Sequence, residues 1–549
     1  MFPRSLVLAP FVALLIGAAP PAPPTPSRGL IESGNRIHGH LEFLADDLLE
    51  GRDTGSRGYD VAATYVASQF RALGLVPGGD KGGWFKQVPL RKATHAATHP
   101  QVTLIENGRR VALAYGVDAS LRPSVVARNR LFDTALVFVG YGLDDARLGL
   151  DDYRGLDVRG KTVVALSGMP AGLPTEISAH LGSQKENIAA RNGAVGYIEV
   201  PRDDRPPRGP NAGLGGESRR PTIDWVDSAG KAGNAPSGLA FNLRLSRDMA
   251  ARLFTGSRHS LEAVRRTARD AKARPAGFAM ASRIALDAAS VWEDFTSPEV
   301  IAVLPGSDPA LRDEYVVLMG HLDHLGIKQD AKPGEDRIYN GALDNAAGVA
   351  TMLEAARLFV DSGTRPRRSV MFIANTGEEK GLLGADYFAA HPTVTIGKIV
   401  SVVDLDMPLP LYDFTDITAF GADHSTLARA VVDAGRSMGV AVSPDPMPEE
   451  TIFVRSDHYR FVLRGVPAVL LMTGHANGGK AVWKNFLGGV YHSLKDDLSQ
   501  PINWIAAARY GELNYRIART LADQPQRPLW YRGDYFGDTY APGQPRAER

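Results

Sequence analysis

Apolar positions at Leu41, Phe43, Leu44, Leu48 and Leu49, then at Val61, Tyr65, Val66, Phe70 and Leu73, recur at helical spacing and predict helices across 37–75, the second closed by Gly74. Between about 128 and 287 the pattern changes to short β runs, such as 135–140 and 162–167, with a helix near 185–192. From about Ser297 it becomes strand, loop and helix in repetition. Strands are predicted over 315–319, 369–374, 398–403 and 468–472, and helices over 345–359 and 502–521. The apolar runs of these strands are short, β-branched and nearly uninterrupted, as in strands covered on both faces. The fold class predicted is α/β, with a mixed, mostly parallel sheet sandwiched by helices and a separate β-rich unit inserted in the middle.

A chain of 549 residues exceeds one ordinary core, which agrees with two units. Lys and Arg number 62 against 61 Asp and Glu, so no global basic field calls for nucleic acid or an anionic membrane. The segment 202–220, rich in Arg, Pro and Gly, reads as a solvated loop. At the start, Arg4, an apolar run over 6–19 and a Pro-rich stretch over 20–26 read as a secretory signal peptide and spacer, with cleavage near residue 22. The run is shorter than the roughly 20 residues that span a bilayer. The expected product is exported, periplasmic or secreted, with no stable membrane span. With no cysteine, any metal must be held by His, Asp and Glu.

Such side chains gather where the predicted strands end, the edge at which open α/β sheets build their sites. Gly320-His321-Leu322-Asp323-His324 follows the first strand, with an acid two residues after a His that could orient its ring. Asp344, at the mouth of a helix rich in small residues, suits an N-cap as well as a metal ligand. Glu378 and Glu379 end a buried strand, where adjacent carboxylates repel unless a cation neutralises one and a proton the other. Such a pair suits one carboxylate on a metal while its neighbour handles the proton of a water. Asp404 and Asp406 end the next strand, and Tyr491-His492 with Asp496 come much later. Together they form a donor set for two cations in the absence of thiolates.

This ordered set resembles the co-catalytic di-zinc exopeptidases of metallopeptidase family twenty-eight. The resemblance covers the segment from Ser297 to about Asp523 and the helices of 37–75. The middle section, with Val139-Gly140-Tyr141-Gly142, Asp152-Tyr153, Asp157-Val158-Arg159-Gly160-Lys161 and Asn192-Gly193-Ala194-Val195-Gly196, resembles a protease-associated domain. The plan implied is a signal peptide at 1–22, the N-terminal part of the peptidase domain at 30–127, the insert at 128–287, the catalytic domain at 288–525 and a tail at 526–549.

Carried over by position, the resemblance implies that Asp344 bridges two zinc ions, that His321 and Asp406 complete one site, and that Glu379 and His492 complete the other. Cobalt or manganese would suit the same donors. Glu378 would be the general base and Tyr491 an oxyanion partner. Asp323 and Asp496 would steady the two histidines, and Asp457 and His458 would lie on the substrate side of the cleft. Met407-Pro408-Leu409 after Asp406, and Ala347, depart from the family pattern without replacing a ligand. The activity implied is hydrolysis of peptide substrates from their N-termini. Carboxypeptidase or dipeptidase action on the same core, or a non-catalytic binding relative, are the alternatives.

Overall fold

The computed structural model describes residues 26–97, 100–203, 214 and 220–549. The predicted signal peptide and most of the Arg-, Pro- and Gly-rich loop lie outside them. Among the described residues no helix is long and apolar enough to cross a membrane.

Four parallel strands form the centre of the first sheet: Ser369–Asn375, Tyr315–His321, Ile399–Asp404 and Ala468–Thr473, paired in that order. Asp416–Phe420 joins one side antiparallel, and Phe278–Leu304 joins the other side antiparallel. The mixed, mostly parallel sheet is therefore as predicted. Successive side chains of a strand face opposite ways. Val316 and Leu318 accordingly pack with the helices Arg28–Leu44, Arg57–Ala72, Ala347–Asp361 and Trp504–Asp523. Val317 and Met319 pack on the other face with Phe388, Phe461, Trp483 and Trp530. Residue Gly348 lets the Ala347–Asp361 helix lie close to the sheet, because a Cβ there would come 2.1 Å from the Leu405 carbonyl oxygen.

The N-terminal helical segment departs from its prediction at one point. Asp47–Arg52 forms a 3-10 turn that leaves Leu48 at 86% exposure, so the apolar spacing there does not mark a buried helix face. Gly74 closes the second helix at φ 74, its N–H donating to the Arg71 carbonyl.

The 27-residue strand Phe278–Leu304 belongs to both sheets. Its second half pairs with Phe85–His95 and Ser369–Asn375, and its first half with Gln101–Glu106 and Asn129–Phe138. Beyond Asn129–Phe138 the second sheet continues through the parallel strands Thr162–Leu166, Gly196–Val200 and Phe241–Leu245. Helix Thr175–Arg191 packs on this lobe and also meets the first one, where the His180 Nδ1 lies 2.7 Å from the Tyr459 hydroxyl.

Segment 526–549 is packed as well. Trp530 is buried and its indole N–H donates to the Gly465 carbonyl. One ring joins this segment to both lobes: His424 Nδ1 lies 2.6 Å from Asp534 Oδ2 and Nε2 lies 2.6 Å from Glu176 Oε2. Burial pulls the His424 imidazolium down, but the two carboxylates outweigh it and raise its pKa to about 9. A raised folded pKa contributes stability that is complete below the unfolded value and is lost as pH rises through about 9, here about 3 kcal/mol at most. Thermal melting of wild type and His424→Gln from pH 6 to 10 should show the difference in Tm large at pH 6, shrinking as the pH rises above about 6.5 and largely gone above about 9. A constant difference would assign His424 a packing role alone.

Candidate metal centre

The donor side chains stand at the C-terminal ends of three of the four parallel strands, or in loops gathered there. His321 ends its strand, Asp406 follows Ile399–Asp404 by two residues, and Glu378 and Glu379 follow Ser369–Asn375. Asp344 lies in the turn that precedes the Ala347–Asp361 helix, and its peptide bond to Asn345 is cis. The capping role falls to Asn345 instead, whose Oδ1 accepts the Gly348 N–H at 3.0 Å.

His321 Nε2 lies 3.2 Å from Asp344 Oδ1 and 3.2 Å from Asp406 Oδ1. His492 Nε2 lies 3.2 Å from Asp344 Oδ2 and 3.2 Å from Glu379 Oε2. The two oxygens of Asp344 thus face two separate groups. The ligand atoms of His321, Asp344 and Asp406 lie within 4.8 Å of one another, and so do those of His324, Asp344 and Glu379. The sequence reading gave His324 no role. Its available signal was a second imidazole three residues beyond His321 on a strand-end loop.

The electrostatics of this cluster are those of a cation site. Burial would drive Asp344 up, yet the imidazoles of His321 and His492, each 3.2 Å from one of its oxygens, hold it well below the usual carboxylate range. Burial and Asp344 push Glu379 up, but His324 and His492 outweigh them and bring it to about 2. Burial lowers His492, but Asp344 and Glu379 outweigh that and raise it to about 10. Burial likewise lowers His321, while Asp406, Glu378 and Asp344 hold it well above its ordinary value. The imidazoles thus take the place of cations among carboxylates. Asp344 Oδ2 and Glu379 Oε1 are buried without a hydrogen-bond partner. Orphaned acceptors of this kind, with oxygen and nitrogen donors throughout, fit two divalent cations of the zinc type.

The supporting residues act differently from their prediction. The ring of His321 is oriented by the backbone of Asp323, whose carbonyl lies 3.1 Å from Nδ1, and not by its carboxylate. That carboxylate is turned to the next loop, accepting the N–H groups of Glu378 at 3.2 Å and Glu379 at 3.4 Å and the Thr54 hydroxyl at 2.9 Å. Asp496 accepts the N–H groups of Leu343 and Asp344 at 2.8 and 3.0 Å, so it steadies the turn carrying Asp344 rather than His492. A side chain of 3-10 origin completes the frame. Buried Arg52 donates to the carbonyls of Leu322, Asn340 and Gly341, tying the His321 and Asp344 loops together.

Beside the donors lies a narrow cleft lined by Glu378, Met407, Ile452, Leu470, Met472, Trp483, Leu487 and Tyr491. Glu378 belongs to neither donor trio. Burial raises its pKa well above the usual range; His321 opposes this, while Glu379, Asp406 and Asp457 add to it. Tyr491 stacks on His492 at 3.8 Å and accepts a hydrogen bond from Arg455 Nη2 at 3.3 Å. Burial holds its hydroxyl protonated. Asp457 and His458, expected at the cleft, lie beneath it at 0% exposure. There Asp457 accepts from the Asn375 amide at 2.8 Å, and the His458 N–H donates to Asp404 at 3.0 Å. It is Arg455 and Ser456 that reach the cleft.

A family model described as Peptidase family M28 matches residues 299–518. The chain carries a peptidase family M28 domain. All the donors, with Glu378 and Tyr491, fall within it. A "Probable zinc metalloprotease" of Pyrenophora teres f. teres (strain 0-1) is 35% identical to the chain over 108 residues, 20% of this chain and 22% of that protein. The "probable leucine aminopeptidase 2" of Aspergillus oryzae is 29% identical over 196 residues, 34% of this chain and 35% of that protein. Among solved structures, "Aminopeptidase from Aneurinibacillus sp. strain AM-1" aligns with a TM-score of 0.49 at 19% identity, over 91% of this chain and 97% of that one. The chain spans less than a quarter of the length of the first two curated relatives that it matches.

Proposed function

We propose that this protein is a zinc-dependent exopeptidase, an aminopeptidase in the first instance, acting on peptide substrates after export. The observation that carries the reading is the sharing of Asp344 between two donor groups, with Glu378 free beside them at the wall of an apolar cleft. His321, Asp344 and Asp406 would hold one zinc ion, and Asp344, Glu379 and His492 the other. Bound there, the pair would supply Lewis acidity, lowering the pKa of water and polarising a carbonyl.

The protein's own groups do the rest. Glu378 takes a proton from the attacking water and returns it to the leaving amine. The protonated Tyr491 hydroxyl donates to the oxyanion that develops on the scissile carbonyl. Ile452, Leu470, Met472 and Trp483 receive an apolar side chain of the terminal residue and exclude water from the site. The segment after Thr222–Trp225, a strand paired with Phe85–His95 of the first sheet, borders this region, since Asn234 accepts from Arg460 at 3.2 Å and Arg460 also donates to the Gly381 carbonyl at 3.1 Å, in the loop of Glu378. This segment narrows the approach to the loop of Glu378.

Aminopeptidase action is supported by the leucine aminopeptidase relative. Arg455 supports a second reading: a guanidinium at the cleft wall is a ready partner for a terminal carboxylate, and the mouse relative "Carboxypeptidase Q" is 30% identical over 118 residues. Aminoacyl chromogenic amides, their N-acetylated counterparts and N-blocked dipeptides, offered to metal-stripped and zinc-reconstituted protein, separate the two. Zinc-dependent cleavage of the free-amine set alone is expected, fastest with large apolar side chains. Cleavage of the blocked dipeptides alone would establish the carboxypeptidase, and zinc-loaded protein inert on all sets would sink both.

A further inference from the structure

Resting on the two-metal reading, we infer that His324 is a direct ligand of the second metal ion, so that this site carries four protein donors: His324, Asp344, Glu379 and His492. His324 has 0% exposure, and both of its ring nitrogens lack a hydrogen-bond partner. A buried imidazole normally satisfies at least one nitrogen, since leaving a buried polar atom unpaired costs roughly 1–3 kcal/mol.

The geometry around Nδ1 shows what would satisfy it. Nδ1 lies 2.7 Å from Glu379 Oε1, close enough for a hydrogen bond, yet neither atom has a partner that meets hydrogen-bond geometry. Nδ1 also lies 4.0 Å from Asp344 Oδ2, which is itself unpartnered. Three buried atoms with lone pairs therefore converge without bonding one another, an arrangement that one shared cation completes. His492 comes to the same point from the opposite side, its ring edge-on to that of His324 with centroids 5.9 Å apart and its Nε2 on both carboxylates.

The loop is built to deliver this ring. The His324 N–H donates to the carbonyl of Arg52, the residue whose guanidinium also ties Leu322 and Gly341 in place. Residue Gly341, at φ 58, makes room: a Cβ on it would come 2.5 Å from the imidazole. The two metal sites are then unequal. One has a single imidazole with two carboxylates, while the other has two imidazoles, a donor set that favours zinc more strongly over harder cations.

A zinc-loaded crystal structure of the full wild-type chain tests the assignment directly. Zinc at 2.0–2.1 Å from His324 Nδ1 is expected. Zinc held by Asp344, Glu379 and His492, with His324 donating to Glu379 instead, would overturn it while leaving the two-metal reading intact. In solution, zinc titration against a chromophoric chelator should give two ions for wild type. His324→Gln and the smaller His324→Ala should each bind one ion at wild-type affinity and the second at least about tenfold more weakly. Two ions bound at wild-type affinity by either folded variant would also overturn the assignment. A wild-type chain that takes up no zinc would remove the two-metal reading itself, and this inference with it.

Discussion

Glu378→Gln is expected to lower kcat by about 10²–10⁴-fold with zinc content unchanged. The residue lines the cleft but contributes to neither donor trio, so its carboxylate can be neutralised without removing a ligand. Glutamine keeps the volume and can still accept a hydrogen bond from water, but it cannot take the proton. The backbone N–H of residue 378 stays on Asp323, so the loop carrying Glu379 keeps its position. Steady-state kinetics alongside metal analysis make the check. Wild-type kcat in a zinc-replete variant would remove Glu378 from the reaction, whereas lost zinc would recast it as a ligand.

Asp344→Ala should weaken both metal ions together. One carboxylate serves two groups, its Oδ1 toward His321 and its Oδ2 toward His492. Removing it leaves each ion short of an anionic donor and leaves the two imidazoles without the acceptor they share. Because even residues that only support ligands cost 10–100-fold in affinity when lost, a fall above about 100-fold at each site is expected. Asp406→Ala is the comparison, since Asp406 approaches His321 and not His492. Zinc titration of both variants should show two weakened sites in the first and one in the second. A wild-type site surviving in Asp344→Ala would mean that the carboxylate is not shared.

Much of this centre was legible because strand ends announce themselves. The runs ending at His321, Asn375 and Asp404 are apolar enough to be strands covered on both faces, and the acids and imidazoles stand where the runs stop. Side-chain direction was less legible. Asp323 and Asp496 were each expected to hold a histidine by spacing, but each carboxylate is spent on backbone N–H groups, which a sequence does not display. His324 stands outside the expected donor set because the resemblance already supplies each site with one imidazole and two carboxylates, Asp344 being shared. Asp457 and His458, placed on the substrate side of the cleft by the family resemblance alone, pair instead with Asn375 and Asp404 inside the core. The strand Phe278–Leu304 was cut near its middle, because its first half alternates exposed and buried residues where its second half is buried throughout much of its length.

That undivided strand bears on how the two lobes can behave. Domains joined by a flexible linker rotate freely about it, but here the connection is a ladder of hydrogen bonds running from one sheet into the other. Bending it would break paired backbone groups, and the His424 junction ties down the far side. The second lobe is therefore less a hinged lid than a fixed buttress, its place beside the first set when the chain folds.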